Sequence, residues 1–359
     1  MRFYDALQLD PAGLKKNIRE AETRQEKTKM LCAMIARSFL IVLFSVLVIS
    51  PVTPVFGAEN SPMAVALLCV LLGIRFVDLG YRIQDSMINL AVVFALLLFA
   101  PVAAAAVNPF FAALIHISAF FVILFMTSDR PEMGNAGIYT FAYIYLAGNP
   151  VFGDLLWKRA LLTLLGYVIC GGILFAKHRT KNPDDRFVTL VKNFSLTNKK
   201  TQWQLQLAVG VGLLLAIGTL FGLKRTMWAA FACGSILGCY NATSDGVKER
   251  FSKRMIGTLV GTLTFFVVYQ IMPESMYSLF GLMGGIILGF CTDYKYKTAS
   301  NSLGALLVAT GVYGLHQSVI LRVMNNFLGV AFGCLFLFLF QKLMQKCFRE
   351  SAAAESVGA

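Results

Sequence analysis

The chain has 359 residues, of which 57% are hydrophobic and 14% charged, and its formal net charge is +13. Soluble domains carry roughly 25% charged residues, so this balance excludes an ordinary soluble protein and points to one embedded in lipid. In that setting the surplus of cations reports loops facing anionic lipid, and no nucleic-acid partner is expected.

Residues 1–30 are polar and basic, which reads as a cytoplasmic N-terminal segment rather than a cleavable leader. Its stretch "LKKNIREAETRQEKTKM" suits either a lipid surface or a protein partner. A spanning helix needs about 20 apolar residues. Convincing runs lie at 34–51, 88–107, 109–126, 155–176, 204–223, 255–272, 278–291 and 319–343. Shorter runs, rich in Gly, Ala and Ser, lie at 62–76, 136–148, 227–240 and 302–314. Interrupted segments at matching places in two halves point to a transporter's binding region; tilted or locally thinned spans are the alternative. The expected fold is an all-α polytopic membrane protein of about twelve transmembrane segments.

Cation placement follows that count. With the N-terminus inside and every segment crossing, only Lys158, Arg159, Lys224, Arg225 and Arg322 fall outside, as the positive-inside rule favours. Both termini are then cytoplasmic and the protein is multi-pass in the cell membrane.

The chain also repeats itself. "RIQDSMINL" at 82–90 aligns with "RFSKRMIGT" at 250–258, and 146–175 aligns with 309–338 so that Arg159 meets Arg322 and Gly166 meets Gly329. Asp129 in "MTSDR" answers Asp293 in "CTDYK". Residues 31–177 and 203–343 are accordingly two six-segment membrane repeats, joined by a basic cytoplasmic linker at 178–202 and followed by a tail at 344–359. Six crossings preserve orientation, so the repeats are parallel.

Eight cysteines lie in or beside apolar runs without a CxxC pair, and read as small buried side chains. No phosphate loop, HExxH or GxSxG motif occurs, and "GVGLLLAIG" reads as helix packing rather than a dinucleotide loop. No enzyme, metal or cofactor is expected.

Charges near the bilayer default to functional candidates. Arg159 and Arg322 repeat, and Asn325 and Asn326 follow Arg322 by about a turn; the two guanidinium groups suit a carboxylate, a lipid phosphate, or a pair with Asp154. "KERFSKR" at 248–254 opens onto Gly257 and Gly261, whose spacing lets another helix backbone approach closely. Arg254, nearest the apolar run, either snorkels outward or holds an anion. Arg225 and Trp228 share a helix face fit for an aromatic acid or for an interfacial belt. Asp129 and Asp293 could carry a proton or pair with nearby cations. His116 could relay one, or act as a structural donor.

Taken together, "LFGLKRTMWAAF", a short small-residue segment, "RMIGTLVG" and "RVMNNFLGVAFG" resemble the fusaric acid resistance protein-like (FUSC) family of the aromatic acid exporter superfamily. The likeness is clearer over 203–343 than over 31–177, and the short linker and tail lead us to expect none of the large cytoplasmic domains that many such exporters carry. It implies proton-coupled export of a small organic anion, an aromatic carboxylate, from a homodimer surrounded by membrane lipid. A passive anion channel and a non-transporting scaffold for envelope assembly are the rival readings.

Overall fold

The computed structural model describes residues 2–241 and 243–357, with side chains through Cys347. It is 81% helix and contains no strand among those residues. The helices are α1 (Phe3–Gln8), α2 (Pro11–Glu20), α3 (Arg24–Ile49), α4 (Val52–Phe56), α5 (Ser61–Ile74), α6 (Ile83–Ala105), α7 (Pro109–Thr127) and α8 (Asn135–Ala147). They continue as α9 (Asp154–His178), α10 (Phe187–Lys192), α11 (Lys199–Leu220), α12 (Thr226–Leu237), α13 (Ser244–Ile271), α14 (Leu279–Leu288), α15 (Tyr294–Tyr313) and α16 (Leu315–Val357).

Local chemistry sets several boundaries. Asn108 caps α7 by accepting from Phe111 N at 3.1 Å, and Pro109 occupies the first helical position, where a missing N–H costs nothing. Asp10 does the same for α2 ahead of Pro11. Gly314, at φ 77°, takes the left-handed conformation that separates α15 from α16.

Among the described residues seven helical stretches are long and apolar enough to cross a membrane: Arg24–Phe56, Ile83–Ala105, Pro109–Thr127, Asp154–His178, Lys199–Leu220, Ser244–Ile271 and Leu315–Cys347. The backbone satisfies its own hydrogen bonds in such helices, which is what lipid demands. Ala58–Ile74, Thr226–Leu237 and Leu279–Leu288 are shorter apolar helices. The run at 278–291 thus forms a helix of 10 residues, about 15 Å long against a hydrocarbon layer of about 30 Å. The glycines of its "GLMGGIIL" carry no helix-stabilising side chain and supply little apolar surface.

The chain divides into two compact units. One comprises Met1–Val48 and Lys248–Asn326, the other Ile49–Val247 and Phe327–Ala359. In the first, the N-terminal segment folds back on its own chain: Ala6 and Leu14 are buried with Met30, Ala33 and Met34 of α3, and Phe290 packs beside them. Part of that segment is therefore committed to the protein's own core. In the same unit Gly257 and Gly261 of α13 lie against α15: an added Cβ would strike Lys295 O and the backbone of Ala299. The bare face is a close helix–helix contact.

In the second unit α11 packs on α7 and α12. Its glycines make room for neighbours, Gly212 for Ile117 of α7 and Gly218 for Thr226 of α12, so "GVGLLLAIG" does serve packing. Among the described residues no cysteine is in a disulfide; Cys170, Cys233 and Cys291 are buried, but Cys32 and Cys347 are exposed, contrary to the expectation that all eight would be enclosed.

Candidate functional site

Arg159 sits early in α9, 1% exposed, in the second unit. Its Nε donates to Asn60 Oδ1 at 2.8 Å, Nη1 to the Asn149 carbonyl at 2.8 Å and Nη2 to the Glu59 carbonyl at 2.6 Å. Asn60 Nδ2 in turn donates to the carbonyls of Phe56 and Leu155. The three acceptors of Arg159 are neutral oxygens, two of them backbone carbonyls. The guanidinium is a clamp that ties α9 to the turns before α5 and after α8, not a group left open to a substrate. Sequence reading missed Asn60, because a backbone carbonyl bound by a distant arginine leaves no motif.

Arg322 sits at the matching place in α16, 5% exposed, in the first unit, and its surroundings differ. Its Nη2 donates to Ser302 Oγ of α15 at 3.4 Å. One turn on, Asn326 Nδ2 donates to the Arg322 carbonyl at 2.8 Å, while Asn326 Oδ1 accepts from Arg254 Nε at 3.0 Å. Arg254 Nη1 donates to Tyr294 Oη at 2.9 Å, and the Arg250 guanidinium lies 3.4 Å from the centre of the Tyr294 ring. Asn326 thus bridges Arg254 and Arg322. Arg254 therefore turns inward to α15 and α16 rather than snorkelling outward.

The carboxylates at this end are engaged by another cation. Lys253 Nζ lies 2.7 Å from Glu249 and 2.9 Å from Asp293. The hydrogen bonds of Arg254 go to the neutral oxygens of Asn326 and Tyr294, which leaves its positive charge uncompensated by them and able to attract an anion. Asn325 faces differently, its Nδ2 donating to the Leu321 carbonyl of its own helix. Tyr294 and Ser302 were not singled out from the sequence. The signal for Ser302 was its one-turn spacing from Thr298, at the end of the polar stretch that opens α15.

The remaining candidates lie apart from this cluster. Arg225 takes a left-handed conformation at φ 57° as the cap of α12, with its guanidinium 5.9 Å from the Trp228 ring. Trp228 is 2% exposed, enclosed by protein, whereas Trp157 is 69% exposed and better fits a lipid-facing belt. Asp129 pairs with Lys200 of α11. Asp293 accepts from Lys253 and from the Lys295 N–H that it caps, which holds its carboxyl below the usual carboxylate range. His116 is buried and shares a 2.9 Å hydrogen bond with Tyr143 Oη. Among the described residues no group of three His, Cys, Asp or Glu side chains could hold a metal ion.

These helices define an all-helical, multi-pass membrane protein. The family whose model matches it, over residues 213–336, is described as fusaric acid resistance protein-like. The resemblance read from the sequence is shown over that stretch, which holds Arg250, Arg254, Tyr294, Ser302, Arg322 and Asn326. No curated protein and no solved structure matches the chain.

Proposed function

We propose that the protein is a secondary transporter, not an enzyme, that exports small organic anions of the aromatic carboxylate class across the cell membrane. The observation that carries this reading is the pair Arg254 and Arg322, linked by Asn326 while the adjacent carboxylates go to Lys253. Tyr294 adds an aromatic ring beside Arg254, which suits a ligand with both a carboxylate and a ring.

The reading includes twelve membrane segments in two parallel repeats, cytoplasmic termini and a homodimer surrounded by lipid. Helix order supports the repeat. Each half opens with a long helix, α3 or α11, followed by a short apolar one, α5 or α12, and closes with the arginine-bearing α9 or α16. Gly166 of α9 faces Leu67 of α5, and Gly329 of α16 faces Ala229 of α12, so the last helix meets the second in both. For proton coupling, Asp129 and Asp293 are each paired with a lysine, and the pairing holds the Asp293 carboxyl below the usual carboxylate range. His116 is bonded to a neutral phenol and is the remaining candidate.

The test is uptake of labelled benzoate into everted vesicles, with and without a proton gradient, for wild type and Arg254→Gln. Gradient-dependent accumulation that is lost in the variant supports the exporter. Downhill leak alone selects the passive channel. Absence of flux for benzoate and other aromatic carboxylates in well-folded protein overturns the reading in favour of a scaffold.

A further inference from the structure

The polar groups of the first unit are arranged along lines. On α13, Arg254, Thr258 and Thr262 recur one helical turn apart, and on α16 Ser318, Arg322 and Asn326 do the same. Ser302 of α15 joins Arg322, and Asn326 joins Arg254, so the two lines converge on one seam. Thr258, Thr262 and Ser318 are 0%, 2% and 0% exposed. Among the described residues their hydroxyls have no hydrogen-bond partner, and Thr310 Oγ1 of α15 is likewise enclosed without one. Buried hydroxyls are hydrogen-bonded as a rule. An aligned set left unmatched, beside two cations, marks a line along which a hydrated polar species is accommodated.

We propose that α13, α15 and α16 form an anion path within this unit, with Arg254 and Arg322 as successive stations and the hydroxyls of Thr258, Thr262 and Ser318 as its lining. The proposal deepens the transport reading on which it rests, since it places the route among three helices of one unit. Eight residues of helix cover about 12 Å, so each line extends across a substantial part of the bilayer. Hydroxyl groups suit such a lining: they replace part of an anion's hydration without trapping it, and the spaced cations supply attraction at two points.

The experiment places single cysteines at Thr258, Thr262 and Ser318 in full-length protein whose native cysteines are replaced by serine or alanine. Ala142→Cys, fully buried in α8, is the unreactive reference, and Thr197→Cys in the exposed linker is the reactive one. Labelling by anionic 2-sulfonatoethyl methanethiosulfonate is compared with labelling by its cationic trimethylammonium analogue, read as intact mass. The path predicts labelling at all three seam positions, with the anionic reagent faster by about tenfold or more through the local positive potential. Arg254→Gln brings that ratio down towards one at Thr262→Cys. Labelling as slow as at Ala142→Cys, or with no charge preference, overturns the path even if vesicle uptake demonstrates export. Preferential anionic labelling without uptake of any aromatic carboxylate keeps the path and removes the substrate assignment.

Discussion

Arg159 of α9 and Arg322 of α16 each precede a glycine by seven residues, Gly166 and Gly329, and both are buried. Around Arg159 the protein supplies three neutral oxygens in a turn that closes on the guanidinium. Around Arg322 it supplies a serine hydroxyl and, through Asn326, a second arginine. A buried cation surrounded by carbonyls is a structural joint, whereas one set near another cation adds to a local positive potential that favours a nearby anion. Equivalent sequence positions thus serve different ends, and the difference lies in what the neighbouring helices present.

The sharpest way to break that contrast is Arg159→Leu, which strands Asn60 Oδ1 and two carbonyls. It is expected to lower stability by about 3 kcal/mol, since each unmatched buried acceptor costs roughly 1–3 kcal/mol; the melting temperature in detergent reads it. An unchanged melting point would mean the clamp holds nothing together. Next comes Gly261→Val, whose side chain runs into the Ala299 backbone that supports Arg254's surroundings. Overpacking of this kind costs about 2 kcal/mol. By comparison, Gly172→Ala in α9 meets nothing within 4 Å and should raise stability by less than about 1 kcal/mol through helix propensity.

Arg254→Gln separates binding from folding. The Gln amide still offers a donor to Asn326 Oδ1, so stability should move by less than about 1 kcal/mol, while benzoate affinity measured by calorimetry falls about tenfold, roughly 1.4 kcal/mol. Equal losses in both would make Arg254 a second structural joint and erase the difference from Arg159. The smallest effect concerns Asp293. Its pKa is depressed in the folded protein by Lys253 and the Lys295 N–H, so its contribution is present above the unfolded value of about 3.9 and lost as pH falls through the folded value. Unfolding followed between pH 3 and pH 6 should show wild type weakening at the acid end and Asp293→Asn lacking that part of the slope.

The long helices were legible because runs of about 20 apolar residues have few other uses, and the close contact of α13 was legible in Gly257 and Gly261. The role of Arg159 was hidden because its partners are Asn60 and carbonyls remote in sequence, and carbonyls are common to every residue. The fold-back of the N-terminus was hidden too: Ala6, Leu14 and Ile18 are apolar positions spaced thinly through a charged stretch, which resembles a surface-binding helix until Met30 and Met34 are seen to meet it. Arg254, by contrast, was visible as the last cation before an apolar run, and only its direction waited on the positions of Tyr294 and Asn326.

The shortness of α14 and α12 also bears on how the protein is made. A segment of 10 or 12 residues offers the insertion machinery about half the apolar length that it recognises as a stop in the bilayer. On the twelve-segment reading such helices would partition with a longer neighbour, α12 alongside α11 and α14 alongside α13. Biogenesis would then proceed by hairpins instead of single helices, and a change that weakens α13 would deprive α14 of its escort.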